Sequence, residues 1–402
     1  CYQFLGGKYR DLVRIYADSG MAPEVTGVPV ELEVSRGGIL LGTKAGTLTA
    51  RPVVTWDRVR AATDEGLAVR LDSDWLSGTL QLVVTLNPAQ TIDEANWDNN
   101  QVTYTLGFTA RKPLLIGLAP VQYRPLPSVE PRMPLTAELP SLVQFLHKAH
   151  PLAEVRVTLL PPVWWPYMMA GSWSETRQGK ILLLQLTDLW SLSQPAGGAP
   201  GEKLDQIVAV FPADCEGGDD ITLSQSDPRW QGGQGLASYV CNNSPDELAH
   251  GVGHNLGLYH PCGPANAAMC CDAEHPGPPD TPLLDWPYAT TAIQEYGYDA
   301  LQSAIILPVT ADLMTDCRPR WLSPFHYRKL FQADSAPQPP VTAAAGDSLQ
   351  RAAAEPHLLV GGLVEASGAV AFEPFWRLPA ALQALDPVEG DTYCLELRDA
   401  AQ

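Results

Sequence analysis

The sequence predicts a multidomain protein in which an α/β domain is flanked by β-sandwich modules, and three observations carry that expectation. Over roughly the first 110 residues, apolar and polar positions alternate with the period of a half-buried strand. From Lys112 the pattern becomes apolar strand, amphipathic helix, apolar strand. After Ala333 both patterns give way to a stretch dominated by proline and alanine, which reads as a linker. At 402 residues the chain also exceeds what one ordinary core organises. These changes divide it into residues 1–111, a β-sandwich; 112–332, the α/β domain; 333–357, the linker; and 358–402, a small β-module.

In the first module, residues 12–16, 28–34, 79–85 and 101–108 place apolar side chains on alternate positions, as antiparallel strands with one wet face do. The loop 86–100 gathers Asp93, Glu94, Asn96, Asn99 and Asn100. Its polar groups serve either to close an Asx-rich turn on its own backbone or to hold Ca2+ through carboxylates and amides. In the second region, residues 113–121 read as a buried strand, 137–147 as a helix and 154–160 as another strand. His147 and His150 are expected at the surface, at the end of that helix. Trp164, Trp165 and Trp173 suit either an aromatic core or a face that stacks on sugars. Past the linker, 358–364 and 392–397 are strand-like, and so short a piece is expected to be a docked or truncated module.

Composition narrows the partners. Hydrophobic residues make up 45% of the chain and charged residues 18%, enough apolar matter for sizeable cores and too little charge for a disordered chain. The 26 basic and 45 acidic residues give a formal charge of −19, which repels phosphate backbones and anionic lipids, so no nucleic-acid partner is expected. No uninterrupted apolar run reaches the roughly 18 residues needed to cross a bilayer. No basic-then-apolar segment opens the chain, so a leader, where one exists, is expected to have been removed. Six of the eight cysteines fall in the α/β region, at Cys215, Cys241, Cys262, Cys270, Cys271 and Cys317. They read as disulfides of an oxidising compartment; the rival, a second metal site on Cys262, Cys270 and Cys271, lacks paired Cys-x-x-Cys knuckles. Asn242-Asn243-Ser244 fits an N-glycosylation acceptor.

The stretch that carries chemistry runs from His250 through Gly251, His254 and Gly257 to His260. Histidines four apart share one helix face, Gly257 can end the helix in the left-handed conformation, and the returning chain can present His260 to the same point. Three imidazoles around one Zn2+ leave a fourth position for water. Upstream, Ser244, Pro245 and Glu247 read as an N-cap, a proline at the first helical position and a capping-box acid.

The spacing is that of HExxHxxGxxH with Gly251 where the glutamate belongs, so this segment resembles the metzincin clan of zinc endopeptidases, in particular bacterial reprolysin-like members. A second likeness lies at residues 312–317, followed by Trp321 and Ser323, which is similar to the family's methionine turn. The resemblance implies that Met314 forms an apolar floor under the histidines. It also implies that Leu236, Ala237, Ser238 and Tyr239 form an edge strand that aligns an extended peptide main chain to main chain. The 86–100 loop resembles a turn of bacterial immunoglobulin-like adhesion modules. The resemblance to metzincins spans residues 112–332, and its specific part is confined to the zinc segment, the methionine turn and the tryptophan region after it.

The resemblance leads to the expectation of a secreted or surface zinc endopeptidase, monomeric, acting on extracellular proteins or glycoproteins, in a catalytically disabled form. In the family the glutamate takes a proton from the zinc-bound water and passes it to the leaving amine, and Gly251 has no group to do either. Two accounts of Gly251 stand side by side. One is an active hydrolase altered at a single position, favoured because ligands and floor are otherwise intact; the other is a natural pseudo-peptidase that uses zinc and cleft to bind a protein or glycoprotein. Glu247, one turn before His250, is the substitute base to check, and its direction along the helix points away from the water position.

Overall fold

The computed structural model describes residues 12–20, 23–52, 60–62, 66–108, 113–123, 130–135, 137–152, 154–165, 182–183, 185–187, 189–190, 203–212, 236–241, 244–261, 286–299, 301–315, 317–333, 357–359, 362–364, 370–372 and 376–378. Within them the chain is β-rich, built from several separate sheets with few helices, and it divides into two compact units, 1–337 and 338–402.

The first unit opens with β1 (Leu12–Ile15), β2 (Val25–Arg36), β3 (Ile39–Ala50), β4 (Leu67–Arg70), β5 (Gly78–Leu86) and β6 (Gln101–Phe108). Antiparallel pairing gives a four-stranded sheet, β3-β2-β5-β6, and a separate β1-β4 pair. Alternation decides which side chains go inside. Val13 and Ile15 from the pair, with Leu32, Val34, Leu80 and Leu82 from the larger sheet, form one shared core. β3 is absent from the expected strands because Gly42 and Gly46 interrupt its apolar alternation. Both glycines are required by packing: a Cβ would lie 2.5 Å from the Trp75 ring at Gly42 and 2.7 Å from Leu67 at Gly46.

The 86–100 loop closes on itself. The Asn87 side-chain amide donates to the Ile92 carbonyl at 2.8 Å and to Glu94 Oε1 at 2.7 Å, and the Asn100 amide donates to the same Glu94 oxygen at 2.9 Å. Asn87 Oδ1 in turn accepts the Thr91 N–H at 2.9 Å. Of the two readings of this loop, the geometry is that of the Asx-rich turn. Among the described residues no group of three or more His, Cys, Asp or Glu converges here as it would around a cation.

The α/β part is a parallel sheet. β7 (Leu114–Tyr123), β8 (Val155–Leu159), β9 (Val163–Trp165), β10 (Gln206–Phe211) and β11 (Ala237–Cys241) assemble in the order β11-β10-β7-β8, with β9 also on β7. Every residue of β10 is buried, the mark of a central strand covered on both faces. Val208 and Val210 face one core together with helix residues Leu146, Leu248 and Val252. Ile207, Ala209 and Phe211 face the other, where Tyr123, Trp165 and Tyr239 pack. Trp165 is thus core, and Trp173 lies outside the described residues.

The helix expected at 137–147 is shorter and later: a 3₁₀ turn Leu139–Val143 precedes α1 (Gln144–Ala149). The surface position expected for His150 is corrected, since this residue is fully buried. Pro151 gives the reason. A residue before proline is driven out of the helical region, and His150 leaves α1 with extended backbone (φ −83, ψ 147), which carries its ring inward. Neither ring nitrogen has a hydrogen-bond partner, and burial lowers its pKa from 6.5 to about 3, against a smaller upward pull from Asp312. His147 stays half-buried.

The histidine-bearing helix α2 (Pro245–Asn255) comes after β11. Then come β12 (Gly297–Asp299) with β13 (Ala304–Ile306), the short parallel pair β14 (Ala311–Asp312) and β15 (Arg320–Trp321), and α3 (Pro324–Ala333). In the second unit, β16 (His357–Leu359) pairs β19 (Trp376–Leu378) and β17 (Gly362–Val364) pairs β18 (Val370–Phe372), both antiparallel. The strand expected at 392–397 and most of the linker lie outside the described residues.

Replacing Glu94 by alanine leaves the Asn87 and Asn100 amides without their shared acceptor and should cost about 1–3 kcal/mol. Urea unfolding should give the same loss with calcium and with a chelator. For His150 the folded-state pKa lies below the unfolded one, so between about pH 6.5 and pH 3 the unfolded chain binds a proton that the native chain does not. Stability therefore falls as pH falls through that window. On moving from pH 7 to pH 4.5, His150→Leu should lose about 2–3 kcal/mol less than the parent, read by urea unfolding at both pH values.

Candidate metal centre

α2 begins where Pro245 occupies the first helical position, with Asp246 and Glu247 in the first turn. The expected capping box does not form, because Ser244 makes no side-chain cap bond. Glu247 is instead drawn to two guanidinium groups, a stronger attraction than a neutral N–H. Its Oε1 accepts from both Arg318 and Arg320, while Arg320 also holds Asp246 Oδ2 at 2.8 Å through Nη2 and at 3.2 Å through Nε. The Arg320 side chain is fully buried and donates from Nη1 to the Thr315 carbonyl at 2.8 Å. One guanidinium thus ties the first turn of α2 to the turn that carries Met314. Burial pushes the Glu247 carboxyl up, against the pull of Arg320 and Arg318, whereas for Asp246 burial is outweighed by the Arg320 and Arg318 contacts and its pKa falls.

The far end of the helix closes at Gly257, whose φ of 87° lies in the left-handed region. Leu258 N–H bonds the Gly253 carbonyl at 2.9 Å and Gly257 N–H bonds the His254 carbonyl at 2.8 Å, a Schellman closure. The reversal brings His260 back to His250 and His254. The three Nε2 atoms form a triangle with sides of 3.0, 3.0 and 3.2 Å.

Hydrogen bonds on the opposite ring edges fix two of the tautomers. His250 Nδ1 donates to the Leu313 carbonyl at 2.8 Å and His254 Nδ1 to the Leu258 carbonyl at 2.9 Å. A neutral imidazole has one donor, so both Nε2 atoms present lone pairs to each other. Burial first, then the neighbouring imidazoles and the Arg320 cation, drives the His250 pKa well below 6.5, so protonation does not relieve the crowding. Lone pairs packed this closely fit a shared electrophile. Donors at about 2.0–2.1 Å from a tetrahedral Zn2+ would sit about 3.3 Å apart, close to the triangle seen here. Among the described residues these histidines are the group able to converge on one ion.

Met314 is fully buried and directly follows Leu313, whose carbonyl accepts from His250 Nδ1. The turn holding it is organised by Asp312, whose Oδ1 accepts the Met314 N–H at 2.8 Å and faces His326 Nδ1 at 2.8 Å. Its Oδ2 accepts the Ser323 N–H at 3.0 Å. Burial raises the pKa of Asp312, but His326 and the hydrogen bonds outweigh it and hold the carboxyl below its ordinary value. Packing against Met314 accounts for Gly253: a Cβ there would come within 2.8 Å of the Met314 sulfur.

Gly251 is buried in α2 between the two histidines. Glu247 is engaged by Arg318 and Arg320 at the helix start. Ala237 to Tyr239 lie on β11, which among the described residues is the end strand of the sheet, preceded directly by Leu236. Their side chains are buried, so whatever they offer a peptide comes from the main chain. The glycine-rich segment before Leu236 and the Asn242-Asn243 part of the glycosylation acceptor lie outside the described residues, as do Cys215, Cys262, Cys270 and Cys271. Cys317 is disulfide-bonded.

Sequence reasoning missed Asp312, Arg320 and His326 as organisers of the site. A Ser323-Pro324 pair, another cap-and-proline helix start, was the available signal for α3 and hence for His326. No spacing marks Asp312 or Arg320, whose roles arise from the β14-β15 pairing of Ala311 with Arg320 and of Asp312 with Trp321.

No family model matches the chain, and no curated protein matches it. Among solved structures it is similar to the solution NMR structure of the 272–376 domain of a protein from Methanosarcina acetivorans, provisionally named a cell surface protein. The identity is 14%, the match covers 27% of this chain and 94% of that one, and the TM-score is 0.15. A likeness at that score carries neither fold nor chemistry across. No helix among the described residues is long and apolar enough to cross a membrane.

Proposed function

We propose that this chain is a zinc endopeptidase of the metzincin type, disabled at its general base, with an immunoglobulin-like β-sandwich on its N-terminal side. The observation that carries the reading is the convergence of His250, His254 and His260, with Nδ1 hydrogens committed to carbonyls on the first two and a buried Met314 close to Gly253 of the same helix. In such a site Zn2+ supplies an acidified water and polarises a peptide carbonyl. The chain's own residues do the rest. The Leu313 and Leu258 carbonyls orient the two imidazoles, Met314 excludes water from below, and the edge of β11 offers main-chain groups to an extended substrate. What is missing is a carboxylate one residue after His250. The substrates that fit this reading are extracellular proteins or glycoproteins, and it includes a secreted or surface location with disulfides and a monomeric enzyme.

Zinc-saturated, desalted protein should retain about one equivalent by elemental analysis, and His254→Ala should retain well under half, because three imidazole nitrogens make the site and two do not hold it. Unchanged metal content in that variant would remove the basis for the whole reading.

Gly251→Glu should cleave a protein or mucin-type glycoprotein library at least about 100-fold faster than the chain as it stands, the scale of a positioned general base. Both forms should carry equal zinc. Cleavage at equal rates would assign the base elsewhere. Tight binding of one partner by both forms, with no cleavage by either, would make the protein a zinc-dependent binding module.

A further inference from the structure

We infer that Arg14 and Arg60, both in the N-terminal β-module, are positioning residues that lock this module to the metal-ligand helix through the β12 strand. The lock starts with Arg14 on β1, which is 1% exposed although it carries a full charge. Its guanidinium lies over the rings of Tyr16 at 5.0 Å and of Tyr298 at 5.6 Å, and its Nη2 donates to the Ala62 carbonyl at 2.8 Å. Arg60, two residues from Ala62, lies over the Tyr296 ring at 4.8 Å and pairs with Glu295 at 3.3 Å. Two arginines of one module thus grip Glu295, Tyr296 and Tyr298 of the other. A desolvated guanidinium over an aromatic face is the stronger form of this contact, and Arg14 is the desolvated one.

The gripped strand leads directly to the metal centre. Gly297, between the two tyrosines, is where the Trp321 indole comes so close that a Cβ would stand 2.9 Å from its Nε1. Asp299, 1% exposed, pairs with Lys148 of α1 at 2.7 Å, and the Lys148 ammonium lies over the Phe145 and Trp321 rings at 5.0 and 5.4 Å. Trp321 adjoins Arg320, the residue that ties the first turn of α2 to the methionine turn. Apart from the exposed Arg60–Glu295 pair, each link is a buried or half-buried contact, and no link in this chain of contacts uses one of the three histidines. The module is accordingly a structural part of the site. It is not a tethered arm.

The inference rests on the metal reading for its probe, and the test separates the two. The full chain is followed by hydrogen-exchange mass spectrometry with and without zinc chloride at a hundred times its dissociation constant. If module and ligand helix unfold together, the slowest amides of β1 and β4 should slow by about 100-fold on adding zinc, the same factor as those of α2. In Arg14→Met/Arg60→Met the factor in α2 should persist and that in β1 and β4 should fall towards one. Should the double variant not fold, Tyr298→Leu, which removes the β12 ring beneath Arg14 and leaves Tyr16 in place, carries the same expectation. Slowing confined to α2 in the parent chain overturns the lock. Slowing nowhere overturns the metal reading instead. The lock is then read from urea titration, where the parent should lose protection in β1 and α2 at one concentration, and loss at two separate concentrations overturns it.

Discussion

Eleven residues of helix, two of them glycine, must hold two imidazoles in register, and on its own that helix would not persist. Isolated helices of this length are marginal in water, and each interior glycine costs about 1 kcal/mol relative to alanine. α2 is therefore held from outside. Arg320 fixes its first turn to the methionine turn, Met314 fills the space that Gly253 leaves, and the Gly257 reversal ties the last turn to the segment carrying His260. The buried guanidinium is the constraint on which the others depend, since without it the buried Glu247 would keep only the half-exposed Arg318 as its counter-charge. Removing one partner of a buried ion pair costs more than the pair contributes, because the remaining charge stays desolvated.

The same constraint explains why polar groups surround so apolar a site. Asp312 is fully buried, yet each oxygen has a partner and the backbone of the next three residues is folded around it. A satisfied buried network specifies one arrangement, whereas a half-satisfied one would leave the turn free to reshape. His150 is the counterexample, a buried ring with no hydrogen-bond partner for either nitrogen, and it marks a place where the fold tolerates a local cost for the sake of the chain reversal at Pro151.

Much of the architecture was legible because it is written in periodicity. Strands β1, β2, β5 and β6 arise from alternation, the buried β7 from a continuous apolar run, and the helix α2 from a proline at its start. The histidine triad was legible from spacing alone, since i and i+4 share a face and glycine permits the return. What could not be read is what depends on burial and on long-range pairing. β3 was hidden by glycines that exist to admit Trp75 and Leu67; the capping role of Glu247 was overridden by arginines 71 and 73 positions away; His150 was misplaced because its surroundings come from other elements. Arg320 and Asp312 are ordinary charged residues until β14 and β15 pair.

The geometry of the histidine cluster is independent of the residue at position 251. The groups that orient His250 and His254 are backbone carbonyls of Leu313 and Leu258, and the groups that fix those carbonyls are Asp312, Arg320 and Gly257. None of these interactions passes through the side chain of residue 251. Glycine at this position therefore leaves the hydrogen bonds that orient the histidines untouched. The carboxylate of Glu247 is likewise committed away from the histidines. Turning it toward the histidines would break contacts to two guanidiniums and leave the buried Arg320 with one fewer counter-charge.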